Sequence, residues 1–220
     1  MLILPRVCPC CECALLPAEQ GVCLRCLALL PRVHAENPGN EVENRLFGRF
    51  AFEHATAYCY YAQEGAVGEV IRQAKFHDRP WLNTHLTRLF VQELAGSGWP
   101  YDVDVIVPVP LHWLRLLRRG YNQSVAIAEA LHEAWSLPIE GRCLYKKHYT
   151  RSQVGLSGTE RMNHEQGTFG VRNSERLRGR HVLLVDDVLT TGSTLTAAVD
   201  ALREALPDLR ISILTLALAR

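Results

Sequence analysis

Two carboxylates, four hydroxyls and a glycine fall in one short run, Asp186-Asp187-Val-Leu-Thr190-Thr191-Gly192-Ser193-Thr194. Together they suit a sugar phosphate. A carboxylate repels phosphate but accepts hydrogen bonds from vicinal hydroxyls, so Asp186 and Asp187 fit the 2- and 3-hydroxyls of a ribose. The stretch from Thr190 to Thr194 fits the 5-phosphate. The free N–H groups and positive dipole end of a following helix favour an anion, and Gly192 lets the backbone turn and approach it closely. No lysine follows the glycine, which excludes the phosphate loop of nucleotide triphosphatases, whose lysine must reach the outer phosphates.

The cysteines offer a second chemistry. Six of the eight lie between residues 8 and 26, while Cys59 and Cys143 stand apart. Cys8 and Cys11 form one C-x-x-C turn and Cys23 and Cys26 another, the spacing of a tetrahedral structural zinc held by four thiolates. Cys10 and Cys13 form an overlapping C-x-x-C, and spacing admits either as the first pair. The opening Met-Leu-Ile-Leu-Pro-Arg lacks the basic and long apolar segments of a secretory signal, so metal ligation is favoured over disulfides and a cytoplasmic location is expected. No apolar stretch approaches the roughly 20 residues needed to cross a bilayer, and no membrane insertion is expected.

These groups need elements to hold them. Residues 182 to 185 are apolar and rich in β-branching, as expected of a parallel strand covered on both faces and ending at the acids. Leu195, Ala198, Val199, Leu202 and Leu206 recur at helical spacing after the loop. Upstream, residues 52 to 61 read as a strand, 67 to 75 and 82 to 94 as helices, 103 to 110 as a buried strand, and 125 to 135 as a helix. A further strand is expected near 139 to 144 and a short helix from Glu160. Alternating strands and helices imply an α/β fold, a parallel sheet flanked by helices, with ligands beyond the carboxyl ends of its strands. The turn Pro108-Val109-Pro110-Leu111 should then emerge beside the Asp186 loop. The chain divides into a ribbon at 1–33, an aperiodic linker at 34–50 and the α/β domain at 51–220.

Composition is that of an ordinary folded protein, with 220 residues, 48% of them hydrophobic and 21% charged, and a formal net charge of +1. Such a balance argues against a strongly basic nucleic-acid binder. Even so, Arg115, Arg118, Arg119, Lys146, Lys147 and Arg151 can contact phosphate or nucleic acid, with Tyr121, Tyr145 and Tyr149 available to stack bases. No side chain is placed so as to identify a nucleophile or an acid–base pair.

The run from Val185 to Thr194 resembles the phosphoribosyl pyrophosphate signature of type I phosphoribosyltransferases. Pro108-Val-Pro-Leu-His112, Arg118-Arg-Gly-Tyr-Asn-Gln-Ser124, Arg151-Ser-Gln-Val-Gly-Leu156 and Glu160-Arg161 resemble the ComF, or GntX-like, competence-protein family. The resemblance covers nearly the whole chain, with His164 standing where the family has Asn. It implies a type I phosphoribosyltransferase-like sheet with a small amino-terminal zinc ribbon, and phosphoribosyl pyrophosphate with Mg, or a related ribose 5-phosphate, as ligand. It implies that the turn of Pro108, Val109, Pro110 and Leu111 holds pyrophosphate, through the backbone N–H groups of its non-proline residues, and that Cys8 and Cys11 join Cys23 and Cys26 on zinc. The segment from Lys146 to Leu156 falls where related enzymes carry a loop that closes over the active site. The resemblance further implies a role in DNA uptake and natural transformation, with single-stranded DNA and a helicase as partners. The alternative is a catalytically silent module that binds single-stranded DNA or docks a helicase while sensing the ligand.

Overall fold

The computed structural model describes residues 6–35, 37–61, 80–147 and 167–220. The helices expected at 67 to 75 and from Glu160, together with Tyr149, Arg151 and the Gln153 to Leu156 segment, lie outside them. In chain order the elements are α1 (Leu24–Ala28), α2 (Glu41–Leu46), β1 (Ala55–Tyr61), α3 (Pro80–Leu94), β2 (Val105–Pro108), α4 (Trp113–Arg119) and α5 (Gln123–Trp135). They continue with β3 (Leu144–Lys146), β4 (Phe169–Val171), a 3₁₀ turn (Ser174–Leu177), β5 (His181–Leu189), α6 (Ser193–Ala205) and β6 (Arg210–Ala219).

Strand β5 sits inside a four-stranded, all-parallel sheet ordered β1-β6-β5-β2. Its apolar run is continuous because both faces are covered. Leu183 and Val185 pack with Leu86 and Phe90 of α3 and Ile127 and Leu131 of α5. Val182 and Leu184 point the other way, into Leu195, Val199 and Leu202 of α6 and Val42 and Leu46 of α2. All four strand residues have no exposed surface, so the period-two alternation of a strand fills two cores at once. Both sheet edges are covered. Residues 31 to 33 bridge β1, with Tyr60 N–H donating to Pro31 O at 2.8 Å and Val33 N–H to Tyr58 O at 3.2 Å. Ile139 bridges β2 on the other side.

Four expectations change. The strand does not stop at the acids: β6 runs on to Ala219, and its ladder carries β5 through Asp186 and Asp187 to Leu189. The strand expected near 139 to 144 is a single bridge at Ile139, followed by a turn at Gly141 and a separate two-stranded antiparallel sheet of β3 and β4. The stretch read as a linker holds α2, whose start is fixed by Asn40: its Oδ1 accepts from Val42 N–H at 2.9 Å and Glu43 N–H at 3.1 Å. The helix expected from Val125 begins two residues earlier, at Gln123, behind the cap Asn122.

The cysteine segment is built onto the sheet. Cys8, Val22, Cys23, Cys26 and Leu30 share one buried cluster with Tyr58 of β1 and Leu82 of α3. Gly21, at φ +87°, lies so near α3 that a Cβ there would come 2.5 Å from the Trp81 ring. Glu19 ties the segment together, accepting from Leu16 N–H at 2.7 Å and Leu24 N–H at 2.8 Å.

Candidate functional site

At the carboxyl edge of the sheet, β2 and β5 are neighbours, with Pro108 in register with Val185 and Val109 N–H donating to Val185 O at 2.9 Å. The turn from Pro108 to Leu111 and the acid pair therefore emerge side by side, as parallel strands deliver adjacent loops to one edge. Asp186 Oδ1 accepts from Ser124 Oγ–H at 3.1 Å and from Asp187 N–H at 2.9 Å. Arg119 of α4 is half-buried, and the nearby Asp187 carboxylate offsets part of the burial that pushes its guanidinium pKa down. Asn122 spans the two loops, donating from Nδ2 to Val109 O at 3.0 Å while its Oδ1 caps Ser124 N–H at 3.1 Å.

Thr190 to Thr194 bend around Gly192, whose φ of +82° is one an L side chain adopts only with strain. Gly192 is the cap of α6, so Ser193 and Thr194 form the first turn of a 13-residue helix. Thr191 Oγ1 and Ser193 Oγ lie 3.1 Å apart, and Ser193 N–H donates to Thr191 Oγ1 at 3.4 Å. An anion-favouring helix end and a row of hydroxyls thus share one loop, next to the carboxylates.

Five residues at this edge were not among the expected site residues, although Gln123 and Ser124 fall within the Arg118 to Ser124 motif. Arg45 of α2 donates from Nη1 to Thr190 O at 3.4 Å and Ala219 O at 3.0 Å, fastening the loop to the end of β6. Arg49 packs against Gly192, where an added Cβ would lie 3.3 Å from its Cδ. Ser124, Gln123 and Trp113 complete the set. The pairing of Asn40 with Glu43, three residues on, is a helix-start signal that marked α2, and with it Arg45. Nothing local marks the contact of Ser124 with an acid 62 positions away.

Among the described residues the predicted basic side chains fall on α4 and at the end of β3. Lys146 lines a cavity of about 560 Å³ with Trp113, Tyr121, Tyr145 and Arg172, bounded by Pro110 and Leu111 of the first turn. Lys147 lines a separate depression of about 280 Å³ with Phe169 and Gly170. Arg115 and Arg118 lie with Arg119 on α4, which has no buried residue and exposes Trp113 and Leu117.

Among the thiols, the sulfurs of Cys8, Cys11, Cys23 and Cys26 all lie within 4.8 Å of one another. Four thiolates roughly 2.3 Å from one tetrahedral ion sit roughly 3.8 Å apart, so the cluster can hold a metal such as zinc. This is the set with Cys8 and Cys11 as the first pair. Cys13 stays adjacent, its sulfur 3.2 Å from that of Cys11, and hydrogen bonding from Cys13 holds the Cys11 thiol down at about 6. Among the described residues no helix is long and apolar enough to cross a membrane.

The sequence profile of the phosphoribosyl transferase domain matches residues 82–220. Among curated proteins the chain is similar to Competence protein F of Haemophilus influenzae, 32% identical over 139 residues, a match spanning 61% of each chain. It is also similar to the DNA utilization protein YhgH of Escherichia coli, 27% identical over 210 residues and 89% of each chain. Competence protein ComFC of Bacillus subtilis is 33% identical over 106 residues, 48% of this chain and 41% of that one. With the domain profile covering more than half of its length and relatives that carry competence names, this chain belongs to the phosphoribosyl transferase domain family as a ComF-like member.

Proposed function

We propose that this protein binds phosphoribosyl pyrophosphate with Mg at the carboxyl edge of its sheet and acts in the use of external DNA. The observation that carries the ligand reading is the acid pair on β5, with Asp186 oriented by Ser124 and Asp187 N–H and flanked by the Gly192 turn on one side and the Val109 turn on the other. The relatives' names, Competence protein F and DNA utilization protein, support the biological link. In this reading Asp186 and Asp187 accept from the ribose hydroxyls, Thr190 to Thr194 and the first N–H groups of α6 take the 5-phosphate, and the turn from Pro108 to Leu111 faces the pyrophosphate with the Leu111 N–H, since the Val109 N–H is spent on Val185 O. Arg45 fixes the carbonyl of Thr190, keeping the loop N–H groups turned toward the ligand. Mg carried in with the ligand would neutralise pyrophosphate charge beside Asp186 and Asp187. Cys8, Cys11, Cys23 and Cys26 hold a structural zinc, a closed four-thiolate site with no open position for chemistry.

Calorimetric titration with phosphoribosyl pyrophosphate and Mg tests this reading, followed by an assay for pyrophosphate released with nucleobases, ammonia or single-stranded DNA as acceptor. Saturable 1:1 binding is expected, and release identifies a transferase. No binding would defeat the ligand reading.

A second reading concerns the aromatic cavity beside the first turn. Trp113, Tyr121 and Tyr145 with Lys146 and Arg172 combine stacking faces with cations, the pattern that holds unpaired bases along a charged backbone. Affinity for single-stranded DNA should then fall steeply with salt and drop when Trp113 and Tyr145 become Ala. Binding indifferent to both changes would exclude this cavity as a nucleic-acid groove.

A further inference from the structure

Gln123 opens α5 between the site residues Asn122 and Ser124 and is 2% exposed. Its Oε1 accepts from Arg119 Nη1 at 3.4 Å. Turning the amide over would set two donors face to face, so the position of Arg119 fixes which end is oxygen and which is nitrogen. The nitrogen, Nε2, is buried and has no hydrogen-bond partner among the described residues. Buried donors are almost always paired, because an unpaired one forfeits its water without replacement.

Every named neighbour of this amide belongs to the ligand edge. Asn122, the preceding residue, holds Val109 O of the first turn, and Ser124, the next, holds Asp186. Arg119, which grips the amide oxygen, carries a cation within electrostatic reach of Asp187. Asp186 and Asp187 already supply acceptors for hydroxyls. The edge needs donors and positive charge for an oxyanion, and Gln123 Nε2–H beside the Arg119 guanidinium provides both.

We propose that Gln123 is a ligand-contacting residue whose Nε2–H donates to a pyrophosphate oxygen of the bound phosphoribosyl ligand, an inference that rests on the phosphoribosyl reading. Arg119 acts through it as a positioning residue, holding the amide so that its donor end faces the ligand.

Two substitutions separate this from a structural role. Gln123→Glu keeps an oxygen for Arg119 and removes the donor; Gln123→Met removes all polarity at similar volume and adds no charge. Calorimetry on the full chain would use Mg–phosphoribosyl pyrophosphate, Mg–pyrophosphate and ribose 5-phosphate as separate probes, alongside thermal melting without ligand. Both variants should bind the two pyrophosphate-bearing probes about tenfold more weakly or worse, the usual loss for a hydrogen bond to a charged group. Ribose 5-phosphate should bind as in the wild type, and the melting temperature of Gln123→Glu should hold or rise. A weakening seen with Gln123→Glu and absent from Gln123→Met would reveal charge repulsion alone and overturn the proposal. Unchanged affinities with a lowered melting temperature would make Gln123 structural. Equal loss of ribose 5-phosphate would overturn the assignment to pyrophosphate. Wild-type protein that binds none of the three probes would overturn the phosphoribosyl reading itself, and this inference with it.

Discussion

Strand β5 carries a polar cluster at each end, and the two are built in opposite ways. At its amino end His181 is sealed, 1% exposed, with Nδ1 3.0 Å from Asp102 Oδ1, Nε2 2.9 Å from Ser212 Oγ, and its N–H donating to Asp104 at 2.7 Å. Arg210 adds a 2.7 Å bond to the second Asp102 oxygen. Serine, histidine and aspartate stand here at the spacings of a hydrolase triad. Yet Ser212 Oγ already accepts from His54 N–H at 3.2 Å and is paired with His181 Nε2, so its hydrogen-bonding capacity is spent inside the fold. At the carboxyl end the acids are half-buried, and among the described residues the Gln123 amide nitrogen has no acceptor. A closed network holds a fold together, whereas a cluster with unspent hydrogen-bonding capacity is suited to a ligand.

The largest expected effect comes from breaking the open end. Asp186→Asn with Asp187→Asn keeps shape and removes both charges that would accept from ribose hydroxyls. Affinity for Mg–phosphoribosyl pyrophosphate should fall on the order of 100-fold or more, since each hydrogen bond to a charged group contributes about 1.5–3 kcal/mol. The melting temperature should stay within a few degrees, because Asn keeps the oxygen that Ser124 and the residue 187 N–H address. Titration calorimetry and melting on one preparation read both; unchanged affinity would remove the acids from the ligand site.

Breaking the closed end should do the reverse. His181→Ala leaves a buried cavity and strips Ser212 and Asp102 of a partner, a loss of about 2–4 kcal/mol. For a chain of this size that corresponds to a fall of about 4–16 °C in melting temperature. Ligand affinity at 25 °C should be unchanged, because the two clusters are separated by the apolar middle of β5. A parallel loss of affinity would show that they are coupled, and the contrast between them would fail.

Much of the carboxyl end was legible in the sequence because its signals are local. A strand, an acid pair, a glycine turn and an amphipathic helix follow one another from His181 to Ala205. Their neighbours were legible only as strand ends: parallel topology brings the Pro108 turn beside Val185, and the alternation of strands and helices in the sequence implies that. What escaped depends on distance in sequence. The contact of Arg45 with Thr190 joins residues 145 apart, and α2 itself is too short to show a helical period. The choice between Cys8 with Cys11 and Cys10 with Cys13 is likewise one of sulfur positions, which spacing leaves open. The triad-like cluster at the amino end was not anticipated at all, since Asp102, His181 and Ser212 sit on three separate segments with no shared motif.

The smallest effect sharpens the contrast through acid. The Arg210 guanidinium, with His181 adding to it, holds the Asp102 carboxyl down at about 2 against an ordinary 3.8. A carboxyl depressed in the folded protein binds protons more readily once the chain unfolds, so its contribution is complete above about pH 4 and fades as pH falls toward 2. Asp102→Asn keeps an oxygen for His181 Nδ1–H and removes the charge. The variant should melt slightly below the wild type at neutral pH, the gap being small because the Asp102 side chain is 59% exposed and solvent screens the pair. Melting temperatures measured from pH 5 to pH 2 should then converge, with the wild type losing its advantage through that window. Curves that stay parallel would show that Asp102 does not owe its position to charge, and that the amino end is held by packing around His181 rather than by a completed ionic network.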